Sequence, residues 1–116
     1  MINLTGHDIN ICDHKGQVYK IIPKSKITLR ANQRYKTIKK LEGVPIDIID
    51  YTITDPLPVI KSLIENNQYI IVSKITAEAL NKKGIYKGVL TTGRKFYLND
   101  SLVGVRGLSL YEQGKN

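Results

Sequence analysis

The chain has 116 residues, 41% of them apolar, and carries 18 Lys and Arg against 10 Asp and Glu for a net charge of +8. That length suits one domain able to bury roughly two thirds of its extended surface, and the single cysteine, Cys12, excludes an intramolecular disulfide framework. The opening residues lack the basic start and long apolar stretch of a signal peptide, and runs such as Tyr69-Ile70-Ile71-Val72 are far too short to span a bilayer, so a soluble cytoplasmic protein is expected.

Short apolar stretches recur between turn signals, the pattern of a β-rich domain in which each strand buries one face. Residues 2–4 and 9–12 read as extended, and His14-Lys15-Gly16-Gln17 turns the chain into a hairpin partner at 18–22. Residues 26–30 alternate, which predicts a strand with Ile27 and Leu29 inward and Lys26, Thr28 and Arg30 outward. A weaker alternation covers 34–39. The longest β-like run is 44–53, where Val44, Ile46 and Ile48 share one parity and Ile49, Tyr51 and Ile53 the other, and a bulge near Ile48 would reconcile them. Asp55-Pro56-Leu57-Pro58 stops that strand, and a single helical turn is expected over 59–64.

Residues 68–72 form an uninterrupted β-forming run and predict a buried strand. Ser73 is a candidate N-cap for a helix over 74–83, with Glu78 and Lys82 at i and i+4 and Gly84 just past its end. Residues 86–91, 95–98 and 102–105 read as closing strands, separated by Thr92-Gly93-Arg94 and Asn99-Asp100-Ser101. The fold expected is mainly β, or α+β with few helices: residues 1–110 form a single small barrel or sandwich with one short helix after Ser73, and 111–116 a frayed tail.

Charge is segregated along the chain. Residues 14–40 hold nine Lys or Arg and no acid, whereas 41–60 hold Glu42, Asp47, Asp50 and Asp55 and no base. Like charges confined to one face sum to a potential that attracts anions, so a phosphorylated small molecule or a nucleic acid is the indicated partner class. Tyr19 and Tyr35 lie inside the basic segment, either as stacking platforms or as ordinary cross-strand residues.

Catalytic and metal chemistry find little support. His7, Cys12 and His14 are the only Cys or His residues, too few for a closed zinc site, and no cofactor is implied. Cys12 and His14 lack an identifiable oxyanion site, Asp47 and Asp50 fall on opposite faces of a regular strand, and the glycines match no phosphate-loop spacing, so the chain does not read as an enzyme. Binding chemistry is better represented. Thr91-Thr92-Gly93-Arg94-Lys95 gathers two hydroxyls, a flexible glycine and two cations, a composition able to surround phosphate or simply to form an exposed turn. Arg106 between Gly104 and Gly107 suits a ligand contact or an ion pair with Asp47 or Asp50.

Asn3-Leu4-Thr5-Gly6-His7, then Tyr69-Ile70-Ile71-Val72-Ser73 followed by Ala77 and Leu80, then Val103-Gly104-Val105-Arg106-Gly107-Leu108 together resemble a family of small uncharacterised proteins encoded by tailed bacteriophages and bacterial genomes. Members often begin Asn-Leu-Thr-Pro-His and end near Arg-Gly-Leu; here Gly6 stands in place of the proline. The resemblance singles out Asn3, Thr5, His7, Ser73 and Arg106 as matching polar positions, and it implies a phage setting in a bacterial host. Small basic phage proteins commonly act by binding, and some sequester nucleotide signals of bacterial immunity.

The leading expectation is therefore non-catalytic binding of a phosphate-bearing small molecule, as in anti-defence sequestration of a nucleotide signal by a homo-oligomer. Arg94, Lys95 and Arg106 would neutralise phosphate, Thr91 and Thr92 would donate to it, and His7, Asn3, Thr5 and Ser73 complete the candidate site. One alternative is general nucleic-acid binding through Lys20, Lys24, Lys26, Arg30, Arg34 and Lys36. A second is a protein-interaction module that uses the basic segment against an acidic host protein or the acidic residues 42–55 of another copy.

Overall fold

A computed structural model describes residues 1–53 and 57–111. In chain order the elements are β1 (Ile2–Asn3), β2 (Ile9–Cys12), β3 (Val18–Ile22), β4 (Ala31–Leu41), β5 (Val44–Ile53), α1 (Leu57–Glu65), β6 (Ile70–Ile71), α2 (Lys74–Lys82), β7 (Val89–Thr92), β8 (Lys95–Leu98), β9 (Ser101–Val105) and β10 (Leu108–Leu110). The fold is mainly β, as the apolar spacing predicts. One four-stranded sheet runs β1-β6-β7-β10, a second runs β3-β2-β9-β8, and β4 and β5 form a two-stranded ribbon.

Layering follows from alternation along residues 70–72. Ile70 and Val72 join Leu4, Ile60, Ala77, Leu80 and Val89 in a core between the first sheet and the two helices, whereas Ile71 points the other way, to Ile9, Ile11, Ile22 and Val105 of the second sheet. The sheets lie face to face and do not close, which corrects the barrel expectation. Successive side chains of a strand leave on opposite faces, so a buried apolar run of this kind requires a layer on each side.

Both helices are locally encoded. The Ser73 hydroxyl accepts the Thr76 N–H at 3.3 Å as the N-cap of α2, and Gly84 follows its end at φ +80°. α1 is longer than the single turn expected. Pro58 is tolerated in its first turn, where N–H groups have no intrahelical acceptor, and Ile60, Leu63 and Ile64 share the core-facing side. No helix among the described residues is long and apolar enough to cross a membrane.

Residues 26–30 do not form the predicted strand. The Ser25 hydroxyl donates to the Ile27 carbonyl at 2.6 Å and accepts the Ile27 N–H at 3.2 Å, a local turn that competes with ladder pairing. Leu29 is buried beside Leu4, to whose carbonyl its N–H donates at 3.0 Å, while Ile27 is exposed. The ribbon bulge sits at Ile38 of β4, between the Thr37 to Asp47 and Lys39 to Ile46 pairs, and β5 itself is regular. Ile53 and Tyr51 are half-buried on one face of β5, whereas Val44, Ile48 and Ile49 are exposed at both parities, so apolar alternation does not mark a single buried face along the strand. Tyr111, grouped with the tail in the sequence reading, is half-buried and donates its N–H to the Val89 carbonyl at 2.9 Å. The expected strand stop at Asp55-Pro56 and the rest of the expected tail, 112–116, lie outside the described residues.

Strands β7 to β10 form one continuous hairpin that belongs to both sheets. Thr92 pairs with Leu108 in the first sheet and Lys95 with Val105 in the second, and between them Gly93 N–H donates to the Gly107 carbonyl at 2.8 Å and Arg106 N–H to the Arg94 carbonyl at 2.7 Å. The bend needs a glycine on one side only: a Cβ on Gly93 would lie 2.8 Å from the Gly107 carbonyl oxygen, whereas one on Gly107 would meet nothing within 4 Å. Gly93→Ala is expected to destabilise the fold by about 2 kcal/mol, the usual cost of forcing a backbone shift, and Gly107→Ala by well under 1 kcal/mol, as read by urea unfolding. Equal losses would show that the bend is not limited by this contact.

Candidate ligand cavity

The two sheets part at one end, where α2 begins, and leave a cavity of about 580 Å³. Its floor is apolar, with Ile9, Leu29, Val72 and Val105, and its rim carries Thr5, His7, Asp8, Arg30, Ser73, Thr92 and Lys95. An apolar interior with a few convergent polar groups, within the range of roughly 300–1,000 Å³, is the usual composition of a small-molecule site.

The loop bearing Thr5 and His7 is pinned from beneath by Asn3, which is only 2% exposed. Its side-chain amide donates to the His7 carbonyl at 2.7 Å and to the Ile22 carbonyl at 3.1 Å, and its Oδ1 accepts from the Thr5 N–H at 3.0 Å and the Thr5 hydroxyl at 2.6 Å. Asn3 thereby uses one donor and both acceptor positions on its own loop and the other donor to tie that loop to the end of β3. It shapes the rim and is not itself in the cavity lining. Gly6 turns the loop at φ +86°, a conformation proline cannot adopt, so the glycine that departs from the Asn-Leu-Thr-Pro-His pattern is required by this particular turn. A Cβ there would also approach Thr28 Cγ2 at 3.2 Å and Arg30 Nη2 at 3.3 Å, which places the Arg30 guanidinium against the glycine.

Alternation divides the other candidate residues. Thr92, like Leu90, faces the second sheet and borders the cavity, while Thr91 takes the opposite face. Lys95 shares the inward face with its partner Val105, so the neighbouring Arg94 and Arg106 fall outside the lining. Thr92 and Lys95 both point inward although they are three positions apart, because the Gly93–Gly107 bend exchanges the faces of the hairpin. Arg106 lies instead near the β2–β3 turn. There the Asp13 carboxyl is held below its ordinary value chiefly by the Gln17 N–H it accepts, with a smaller contribution from the charge of Arg106. The suggested partners Asp47 and Asp50 do not pair with Arg106; Asp50 is engaged by Arg34 at 3.2 Å.

The structure thus gathers Thr5, His7, Ser73, Thr92 and Lys95 around one space and leaves Thr91, Arg94 and Arg106 away from it. Neither a family model, nor a curated protein, nor a solved structure matches this chain. Arg30, read in sequence only as part of the basic stretch, joins the rim, as do Asp8, Asn32 and the buried Thr76. No local pattern announces Arg30 as a cavity residue, since its place depends on the Leu29 to Leu4 contact, 25 residues apart in sequence.

Electrostatically the rim combines Arg30 and Lys95 with Asp8, whose carboxylate accepts the Lys24 N–H at 2.9 Å. Ser73 and Thr76 open the cavity onto the first turn of α2, where free backbone N–H groups and the positive end of the helix dipole favour an anion. The Ser73 hydroxyl contacts the Thr76 hydroxyl at 2.9 Å, so both are ordered at the opening.

Two substitutions separate rim architecture from rim chemistry. Asn3→Ala removes four hydrogen bonds, among them the one to the buried Ile22 carbonyl, and is expected to cost about 3 kcal/mol in urea unfolding. Ser73→Ala removes the cap and the contact with the Thr76 hydroxyl and is expected to cost about 1 kcal/mol. A loss at Asn3 no larger than that at Ser73 would show that water replaces the Asn3 bonds.

Proposed function

We propose that this protein is a non-catalytic binder of a phosphate-bearing small molecule, held in the cavity between the two sheets. The observation that carries the reading is the joining of an apolar 580 Å³ space to Arg30, Lys95 and the start of α2 on one rim. A ligand with a flat, weakly polar part and an anionic part matches that division, and a nucleotide has both. In this reading Arg30 and Lys95 neutralise phosphate, and Thr92, Thr5 and the amides of the first α2 turn donate to its oxygens. His7 adds a further donor, Asp8 accepts from a ribose hydroxyl or an exocyclic amine, and the base lies on Val72, Leu29 and Val105. Sequestration of a nucleotide signal needs nothing more than tight, selective binding of this kind.

The basic stretch of residues 14–40 supports a general nucleic-acid surface less well, because the fold disperses it. Lys20 is on β3, Lys24 and Lys26 are in the following loop, Arg30 is at the cavity, and Arg34 and Lys36 are on the ribbon. The two readings differ in their response to salt, since each phosphate neutralised along a polymer releases counterions.

Titration of the purified protein with linear and cyclic mono- and dinucleotides by isothermal calorimetry, and by native mass spectrometry for stoichiometry, tests the proposal. One nucleotide per site is expected, with affinity reduced about tenfold or more by Arg30→Ala or Lys95→Ala, the usual loss for one charge-assisted hydrogen bond, and unchanged by Arg94→Ala. Uptake of single-stranded DNA alone, in uneven numbers and falling steeply with salt, would replace this function with nucleic-acid coating. Binding of neither would reject both.

A further inference from the structure

The β4–β5 ribbon is the largest element that the two cores leave uncovered. Its base is fixed to α2: Tyr51 donates its phenol to Glu78 at 2.9 Å, and Lys82 lies 4.7 Å from the Tyr51 ring centroid and donates to the Ile49 carbonyl at 3.3 Å. Beyond that contact Tyr35, Ile38, Leu41, Val44 and Ile48 are exposed, Tyr35 by 69% and Val44 by 57%. An 11-residue strand is about 37 Å long, and the ribbon it forms with β5 pairs with neither four-stranded sheet. Two strands alone are marginal in water, and neither outer edge of this pair has a further strand beside it, although on β5 the Ile49 carbonyl and the Tyr51 N–H are met by the Lys82 and Asp50 side chains.

Charge on the ribbon is sorted by strand and largely unmatched within it. Arg34 pairs with Asp50, and the Thr37 hydroxyl donates to Asp47 at 2.7 Å. Lys36, Lys39 and Lys40 instead stand opposite Ile48, Ile46 and Pro45. β4 is therefore a basic strand and β5 an acidic one, with apolar residues beside the lysines.

We propose that the ribbon is an assembly element whose occupant is a second copy of this chain, with β4 of one copy pairing antiparallel to β5 of the next, head to tail around a ring. Pairing across a two-fold axis sets β4 against β4, bringing lysines together, or β5 against β5, bringing aspartates together, and like charges on neighbouring strands repel. Head-to-tail pairing alternates basic and acidic strands instead. Relative to the register inside the hairpin, a slide of two residues sets Lys36 opposite Asp50 and Lys40 opposite Asp47, with the Ile38 bulge carried through. An even slide keeps every side chain on its own face, so both ion pairs form at once, one on each side of the sheet. Leu41, Val44, Ile46 and Ile48 then share the face opposite to the one that rests on α2, which a closed ring turns inward. Closure also removes the free edges that would otherwise recruit unrelated strands.

Light scattering after size exclusion, at tens of micromolar protein, tests this with three proteins. The unaltered chain is expected to run as a multiple of 13.1 kDa, and Lys36→Glu/Lys40→Glu to fall to a single chain. The exchanged variant Lys40→Glu/Asp47→Lys, which restores complementarity between copies, is expected to keep the unaltered mass. A monomeric unaltered chain overturns the proposal, as does an oligomer indifferent to Lys36→Glu/Lys40→Glu. A monomer that carries nucleic acid, seen as excess absorbance at 260 nm, overturns it in favour of a different occupant. If circular dichroism shows Lys36→Glu/Lys40→Glu unfolded, the exchanged variant decides: retained mass supports head-to-tail pairing and lost mass rejects it.

Discussion

Three consecutive residues with no exposure, Ile70, Ile71 and Val72, set the arrangement of everything else. Ile70 and Val72 face the helices and Ile71 faces the second sheet, so two separate layers must be present before this short stretch is out of water. Each such side chain contributes about 1.5–3 kcal/mol when fully buried. The backbone around them is equally committed. Ile2 and Leu4 N–H groups donate to the Tyr69 and Ile71 carbonyls, and the Ile70 and Val72 N–H groups donate to the Gly88 and Leu90 carbonyls, all within 2.8–2.9 Å. A strand with partners on both edges and cores on both faces has no freedom left, and the loops that leave its ends inherit fixed positions.

The cavity is a consequence of that rigidity. Val72 still belongs to the core, but the next residue caps a helix, and at this change of direction the two sheets can no longer stay in contact. The opening is kept from collapsing by Asn3, which turns the loop of residues 4–7 back over the gap by satisfying that loop's polar groups internally. Buried polar groups earn their place only when fully bonded, and here both donors and both acceptor positions of Asn3 are used. The long hairpin of β7 to β10 closes the opposite wall. It can serve both sheets only by bending at Gly93 and Gly107, and the same bend turns Thr92 and Lys95 to one side.

Local signals were legible in the sequence. The Ser73 cap, the helix after it, the strand over 44–53 and a buried strand within 68–72 all follow from residue types at short spacing, whereas Thr92-Gly93-Arg94 is a bend within one hairpin and not a turn between strands. The errors arose where a choice depended on distant partners. Residues 26–30 alternate like a strand, yet the Ser25 hydroxyl captures Ile27 and only Leu29 has a core to enter. The mixed parity of β5 suggests a bulge in that strand, whereas the bulge lies on β4 and the outer residues Val44, Ile48 and Ile49 are exposed at both parities. For the cavity, the sequence supplied residue types without assigning faces. Thr91 and Thr92, or Arg94 and Lys95, are interchangeable as composition, and period two separates them only once the bend at Gly93 is known.

The basic run of residues 14–40 shows most clearly how a one-dimensional charge pattern changes meaning in space. As a segment it suggests a single electropositive surface. Folding distributes it over an edge strand, a connecting loop, the rim of a cavity and a projecting ribbon, and each location gives the cations different neighbours. Beside an apolar cavity and a helix start, Arg30 acts as part of a recess for a discrete anion. On β4 the lysines face isoleucine and proline across the ribbon, while the acidic residues that follow in sequence are folded back beside them, two residues out of register. The alternation of basic and acidic segments that would cancel at a distance therefore becomes directional at close range, because pairing within the hairpin sets Lys36 and Lys40 directly opposite Ile48 and Pro45 while Asp47 and Asp50 lie two residues along the neighbouring strand. Net charge alone contains none of this; it comes from turn position, strand register and the placement of one bulge.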